Sequence, residues 1–168
     1  MIHSFSCKNF YSFGELTTLD FVVNKNAPEN NGYFIAKSGI RLSKVETVIG
    51  PNASGKTNLL KVIPFLKWLI IDSFNTKPED LIVVQYFAFD EAKDQPTELS
   101  VTFEIEGKIY TYSFTLIKQR ILSEKLSVIS HVKEKKGNKK LSIRTWNKKT
   151  NQYDFDSGNF DLPKGFEN

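Results

Sequence analysis

The chain of 168 residues is about the size of one domain, long enough to bury a sizeable core. Its 40% apolar and 25% charged content is that of an ordinary soluble globular protein. A single cysteine, Cys7, excludes an internal disulfide and makes a reducing cytoplasm the expectation. The net charge of +4 is unevenly placed, because residues 117–150 hold 11 basic side chains against only Glu124 and Glu134.

The first residues, Met1 to Ser6, have neither a basic region nor a long apolar run, so they do not read as a secretory leader. Ile2 to Cys7 is predicted as a first strand, broken at Lys8-Asn9. Nothing nearby in sequence marks a base for Cys7, so it reads as a small buried hydrophobe rather than a nucleophile. A second strand is predicted over Leu16 to Val23, and Asn24 to Asn31, with Pro28 and its asparagines, is a loop. Val45 to Ile49 is short and β-branched, predicts a strand, and ends directly on Gly50.

Gly50-Pro51-Asn52-Ala53-Ser54-Gly55-Lys56-Thr57 satisfies G-x-x-x-x-G-K-[ST] without deviation, between a predicted strand and a predicted helix. Each position has a physical role in holding a nucleoside triphosphate. Gly50 and Gly55 let the backbone turn so that successive N–H groups converge on phosphate oxygens. Pro51, Asn52, Ala53 and Ser54 form the cradle, and the last three are too small to block it. Lys56 reaches the β- and γ-phosphates, and Thr57 offers a hydroxyl to Mg²⁺. Asn58 follows as a further candidate contact, and ATP with Mg²⁺ is the expected ligand.

The helix opening at Gly55 is predicted to run to about Ser73. Apolar residues surround nearly its whole circumference (Leu59, Leu60, Val62, Ile63, Phe65, Leu66, Trp68, Leu69, Ile70, Ile71), which predicts burial on most sides. Pro64 is expected to kink it. With Pro64 and Lys67 inside it, the stretch is too short to span a bilayer.

From Glu98 the period changes to two. Leu99, Val101, Phe103 and Ile105 point one way, Gly107-Lys108 turns, and Tyr110, Tyr112, Phe114 and Leu116 alternate back. Two further antiparallel pairings are predicted: Lys125 to Val132 with Leu141 to Trp146 across Gly137-Asn138, then Gln152 to Phe155. The fold class is therefore α/β: a partial P-loop NTPase core (residues 1–75) with an antiparallel β-meander (residues 76–168).

The opening Phe5-Ser6-Cys7-Lys8-Asn9-Phe10-Tyr11-Ser12-Phe13, followed by Gly-Pro-Asn-Ala-Ser-Gly-Lys-Thr-Asn, resembles the ABC/SMC-like ATPases. More narrowly, it resembles the bacterial AAA-type ATPases of the RloA and abortive-infection kind. Tyr86 to Asp90, Pro96 to Glu98 and Arg120 to Leu126 are similar to that family as well. The resemblance implies ATP hydrolysis at a head-to-head dimer, work in phage defence or nucleic-acid processing, a partner protein, and a Lys8-Asn9-Phe10 turn near the nucleotide. Repair ATPases of this class commonly have Arg where Tyr11 stands. The family's Ser-Gly-Gly-rich signature is absent, and neither His3 nor His131 stands in a switch-histidine context. The chain thus looks like the N-terminal portion of a longer ATPase.

Ile82 to Glu91 admits two readings: a Walker B strand with Asp90 on the metal and Glu91 as catalytic base, or a plain strand and turn. Gln85 as a water-positioning residue is a further option. Lys133, Lys135, Lys136, Lys139 and Lys140, with Arg144, Lys148 and Lys149 nearby, are predicted at a hairpin tip. There they either contact nucleic-acid phosphate, with Trp146 and Tyr153 adding stacking, or keep an edge strand soluble. The competing functions are the ATP-binding portion of a larger ATPase, a complete small NTPase using Asp90 and Glu91, and a nucleic-acid- or partner-binding module with a vestigial loop.

Overall fold

The computed structural model describes residues 1–28, 31–77, 79–89, 95–132 and 135–156. Seven strands form one sheet: β1 (Ile2–Lys8), β2 (Thr17–Asp20), β5 (Thr97–Ile105), β6 (Lys108–Ile117), β7 (Arg120–Val132), β8 (Lys135–Asn147) and β9 (Gln152–Asp156). Their order is β2-β1-β5-β6-β7-β8-β9, and every pairing is antiparallel. The two portions expected from sequence therefore share one sheet, since β1 pairs with both β2 and β5. A second, two-stranded sheet pairs β3 (Tyr33–Ile35) with β4 (Arg41–Ser43), and β4 is tied to the segment after β2 through the Val22–Leu42 bridge.

Opposed residues across neighbouring strands share a face, so the register sorts the sheet into an apolar and a polar side. Cys7, Leu99, Phe114, Glu124, Arg144 and Phe155 form one row across six strands. Ser6, Ser100, Ser113, Lys125, Ile143 and Asp156 form the adjacent row on the opposite face. The first row is buried at its β1, β5 and β6 end, whereas Phe155 is 45% exposed.

The helical run after Gly50 to Thr57 covers the buried end. It comprises α1 (Lys56–Leu60), α2 (Val62–Lys67), a π turn (Trp68–Asp72) and a 3₁₀ turn (Ser73–Asn75). The interruption at Lys61 fits Pro64, whose ring nitrogen cannot donate to the carbonyl of Leu60. Leu59, Val62, Leu66 and Leu69, spaced three and four apart, are buried against Phe5, Cys7, Phe10, Leu99, Val101 and Phe114. The expectation of burial on most sides is corrected: only this stripe is covered, while Leu60, Ile63, Ile70 and Ile71 are exposed. Among the described residues no helix is long and apolar enough to cross a membrane.

The hairpin of β5 and β6 is as predicted. Its turn residues Glu106 (φ 50°) and Gly107 (φ 82°) both lie in the left-handed region, the two-residue geometry that matches the twist of the strands it joins. Gly107→Val is expected to cost about 1 kcal/mol or more. At roughly 2–4 °C per kcal/mol for a chain of this size, a thermal melt should register the loss.

Three predicted elements are corrected. Val45 to Ile49 is not a strand: no described strand lies beside it to pair with, and Val45 and Ile49 are 76% and 89% exposed. Gly137-Asn138 is not a turn, because Gly137 opposes Ser130 and Asn138 opposes Ile129 inside the β7–β8 ladder. Ladder pairing and the bulge between Leu126 and Ser127 override the local turn signal. Residues 81–88 join no strand, and the Val84 amide bonds back to the Ile82 carbonyl in a tight turn.

Candidate functional site

The loop Gly50 to Thr57 leads into α1 with Gly55 at φ 89°, a left-handed conformation that glycine adopts without strain. A side chain there would also meet Ser12 Cβ at 3.1 Å. At Gly50 a Cβ would lie 2.7 Å from the Ser54 hydroxyl. Gly55 is thus required by the loop's shape, whereas at Gly50 the contact is with a hydroxyl that can rotate away. Ala53 is a further left-handed residue, at φ 63°.

Among the described residues, the amides of Asn52, Ala53, Gly55, Lys56 and Thr57 donate to no protein group, and α1 has no side-chain cap. A run of unused donors at the start of a helical segment fits an anion with several oxygens. Lys56 Nζ lies over the same loop, 2.7 Å from the Gly50 carbonyl and 2.6 Å from that of Pro51. The Thr57 side chain is exposed. A cavity of about 260 Å³, walled by Phe13, Val48, Ile49, Gly50, Ser54 and Lys56, adjoins these groups.

The loop is braced by the turn after β1. Asn58 Nδ2 donates to Ser12 Oγ at 2.5 Å, so Asn58 ties the loop to this turn. Asn9 and Tyr11 both sit at φ 50°, and the turn closes through paired hydrogen bonds between Phe10 and Phe13. Asn9 is buried and acts as a hub: its side chain accepts from the Phe87 amide and donates to the Gln95 carbonyl, while its own carbonyl accepts from Thr97 Oγ1. Tyr11 carries Lys61 Nζ 4.2 Å over its ring and donates its amide to the Gln85 carbonyl. Composition and periodicity gave no sign of the roles of Ser12, Phe13 and Asn9. The available signal was the resemblance, which implies a Lys8-Asn9-Phe10 turn near the nucleotide, while the left-handed pair Asn9 and Tyr11 shows only in the backbone.

Other sequence candidates are placed as follows. Asp90 and Glu91 lie outside the described residues. The segment before them is held by Ile82 and Phe87 amide bonds to Lys118 and Asn9 rather than by strand pairing. Lys133 also lies outside the described residues, as do the side chains of Lys135, Lys136 and His131. The lysines are not gathered at a turn of Gly137-Asn138: Lys139 is an exposed position on β8, and Lys140 pairs with Asp156. Arg144 pairs with Glu124 at 2.6 Å. Lys148 and Lys149 are exposed after β8. Cys7 is fully buried, and burial pushes its thiol up to about 11, which makes it inert as a nucleophile. His3 is a buried strand histidine bonded to Glu104. Among the described residues no three His, Cys, Asp or Glu side chains cluster to hold a metal.

Residues 47–154 match the model of the family described as "AAA domain, putative AbiEii toxin, Type IV TA system". No curated protein matches the chain. The matched region spans more than half of the chain and includes the glycine-rich loop, the helical run and most of the antiparallel sheet. The chain accordingly belongs to this family of AAA-type P-loop ATPases.

Proposed function

We propose that the chain binds Mg-ATP through Gly50 to Thr57 and works as the N-terminal portion of a larger ABC/SMC-like ATPase. The observation that carries this reading is the row of unused loop amides beside the Lys56 ammonium. In it the amides hold the β- and γ-phosphates, Lys56 moves from the Gly50 and Pro51 carbonyls to phosphate oxygens, and Thr57 takes the magnesium. Mg²⁺ supplies the charge that offsets the phosphates, and the chain's own residues bind and orient.

The larger-core part of the reading is supported by Val45 to Ile49. This apolar segment leads into the loop yet presents its side chains to solvent, as a central strand does when its neighbours come from elsewhere. A head-to-head dimer that completes the site, and work in the cytoplasm, belong to the same reading. The family's description, with its AbiEii toxin and Type IV TA system, supports a place in phage defence.

Calorimetric titration of the chain with ATP tests the reading. Binding is expected with magnesium and is expected to weaken when EDTA removes it, with Thr57→Ala losing most of that magnesium dependence. Binding indifferent to both EDTA and Thr57→Ala would remove Thr57 from the site. Turnover by the isolated chain that disappears in Glu91→Gln would favour a complete small NTPase instead.

A further inference from the structure

The helical run leaves the outer flank of the sheet's apolar face open. Beyond β6 this face forms one wall of a groove of about 660 Å³ that shares no residue with the phosphate-loop cavity. Trp68 and Phe74 come from the helical run, and Arg120, Arg144, Trp146 and Tyr153 come from β7 to β9. Phe74 is 84% exposed, and both tryptophans of the chain line the groove.

The charges inside it are unevenly satisfied. Glu124 is taken twice, by Arg144 and by the Tyr112 hydroxyl. Asp80 accepts the Lys77 amide. Arg120 stacks 4.0 Å over Trp146 and makes no ion pair among the described residues. Arg144 stacks 4.8 Å over Tyr153, and its Nε is buried without a hydrogen-bond partner. The groove therefore offers the Arg120 guanidinium without a carboxylate and the Arg144 Nε without a partner, set in an aromatic and apolar surround. Trp, Tyr and Arg in a partly desolvated pocket are the residues that dominate protein–protein binding energy.

We propose that this groove docks a segment of a partner protein that places a carboxylate side chain on Arg120 between apolar side chains on Phe74 and Phe155. A run of nucleic-acid phosphates fits less well, because among the groove's arginines only Arg120 is free of a carboxylate among the described residues, and phosphates repeated along a strand call for several such cations. The inference is independent of the nucleotide reading.

The test is a titration of the full 168-residue chain, read by Trp68 and Trp146 emission, with three probes. These are a synthetic amphipathic helical peptide of Leu, Phe and Glu, the same peptide with Lys for Glu, and single-stranded oligo(dT). The acidic peptide is expected to shift the emission with a Kd on the order of micromolar, and the other two are not. Arg120→Ala and Phe74→Ser are each expected to weaken that binding roughly tenfold while leaving the melting curve in place, since Phe74 is exposed. Failure of the acidic peptide to bind, or equal binding of its lysine counterpart, would overturn the proposal. So would oligo(dT) binding that Arg120→Ala abolishes, which would assign the groove to nucleic acid.

Discussion

Lys56→Ala is expected to weaken Mg-ATP binding by roughly a hundredfold while leaving the fold intact. In the loop as it stands, the ammonium is satisfied by two neutral carbonyls, those of Gly50 and Pro51. Transfer to phosphate exchanges these for bonds to charged oxygens, which are about twice as strong and contribute roughly 1.5–3 kcal/mol each. Losing even two at the lower end amounts to about 3 kcal/mol, or two decades in Kd. The same substitution removes only partly exposed contacts within the loop, so the melting temperature should move by no more than a few degrees. Lys56→Arg keeps the charge but presents a rigid planar fork where a mobile point charge fits, and it should fall between the two. Calorimetry with Mg-ATP on the three proteins decides the matter: unchanged affinity in Lys56→Ala would sink the nucleotide site.

Glu104→Ala is expected to be the most destabilising single substitution outside the apolar core, by about 3–5 kcal/mol, the cost of breaking a buried charged network by removing one partner. Glu104 lies on the polar face of β5 yet is only 4% exposed, because the turn between β3 and β4 closes over it. Its carboxylate accepts from the Ser38 amide at 3.0 Å, the Ser38 hydroxyl at 2.5 Å and His3 Nε2 at 3.1 Å. Its backbone exchanges hydrogen bonds with Met1, the Glu104 amide donating to the Met1 carbonyl and the Glu104 carbonyl accepting from the terminal ammonium. The residue thus joins the chain's first strand, the small hairpin and the large sheet. Truncation would leave the half-buried Ser38 and the buried His3 groups without their acceptor. At roughly 2–4 °C per kcal/mol, a loss on the order of 10 °C in melting temperature should appear. A shift as small as that of an exposed glutamate such as Glu98 would contradict the network.

The same residue sets a pH dependence. Burial alone would raise the Glu104 carboxyl, but the Ser38 hydrogen bonds and His3 outweigh it and hold the group below its ordinary 4.5. A depressed folded-state value means that the unfolded chain takes up the proton first. Its contribution is therefore fully present above about pH 5.5 and is lost as pH falls below 4.5 towards the lower folded value. Melts from pH 6 down to 3.5 should show that loss in the parent protein and a flatter profile in Glu104→Gln.

Short-range order was readable wherever one residue or one period decides the geometry. The spacing of Gly50 and Gly55 ahead of an apolar run specifies a tight loop opening a helix whatever packs around it, because the left-handed turn at Gly55 needs glycine. The alternation from Leu99 to Phe103 and back from Tyr110 to Leu116 specifies a hairpin, since a slip of one residue would put Glu104 among the core side chains. Tertiary structure decided whatever depends on a neighbour distant in sequence. Val45 to Ile49 has strand composition, but a strand exists only beside another, and none of the described residues supplies one. Gly137-Asn138 has turn composition, yet the ladder with β7 runs through it, because a pairing ten residues long outweighs a dipeptide preference. Glu104 stands on the polar side of the alternation, yet the β3–β4 turn covers it. The helix after the loop is apolar all round, but one sheet can cover only one stripe of it. By itself, then, the sequence determined the glycine turn at Gly55 and the hairpin. The packing partners alone decided which apolar surfaces are core and which remain open.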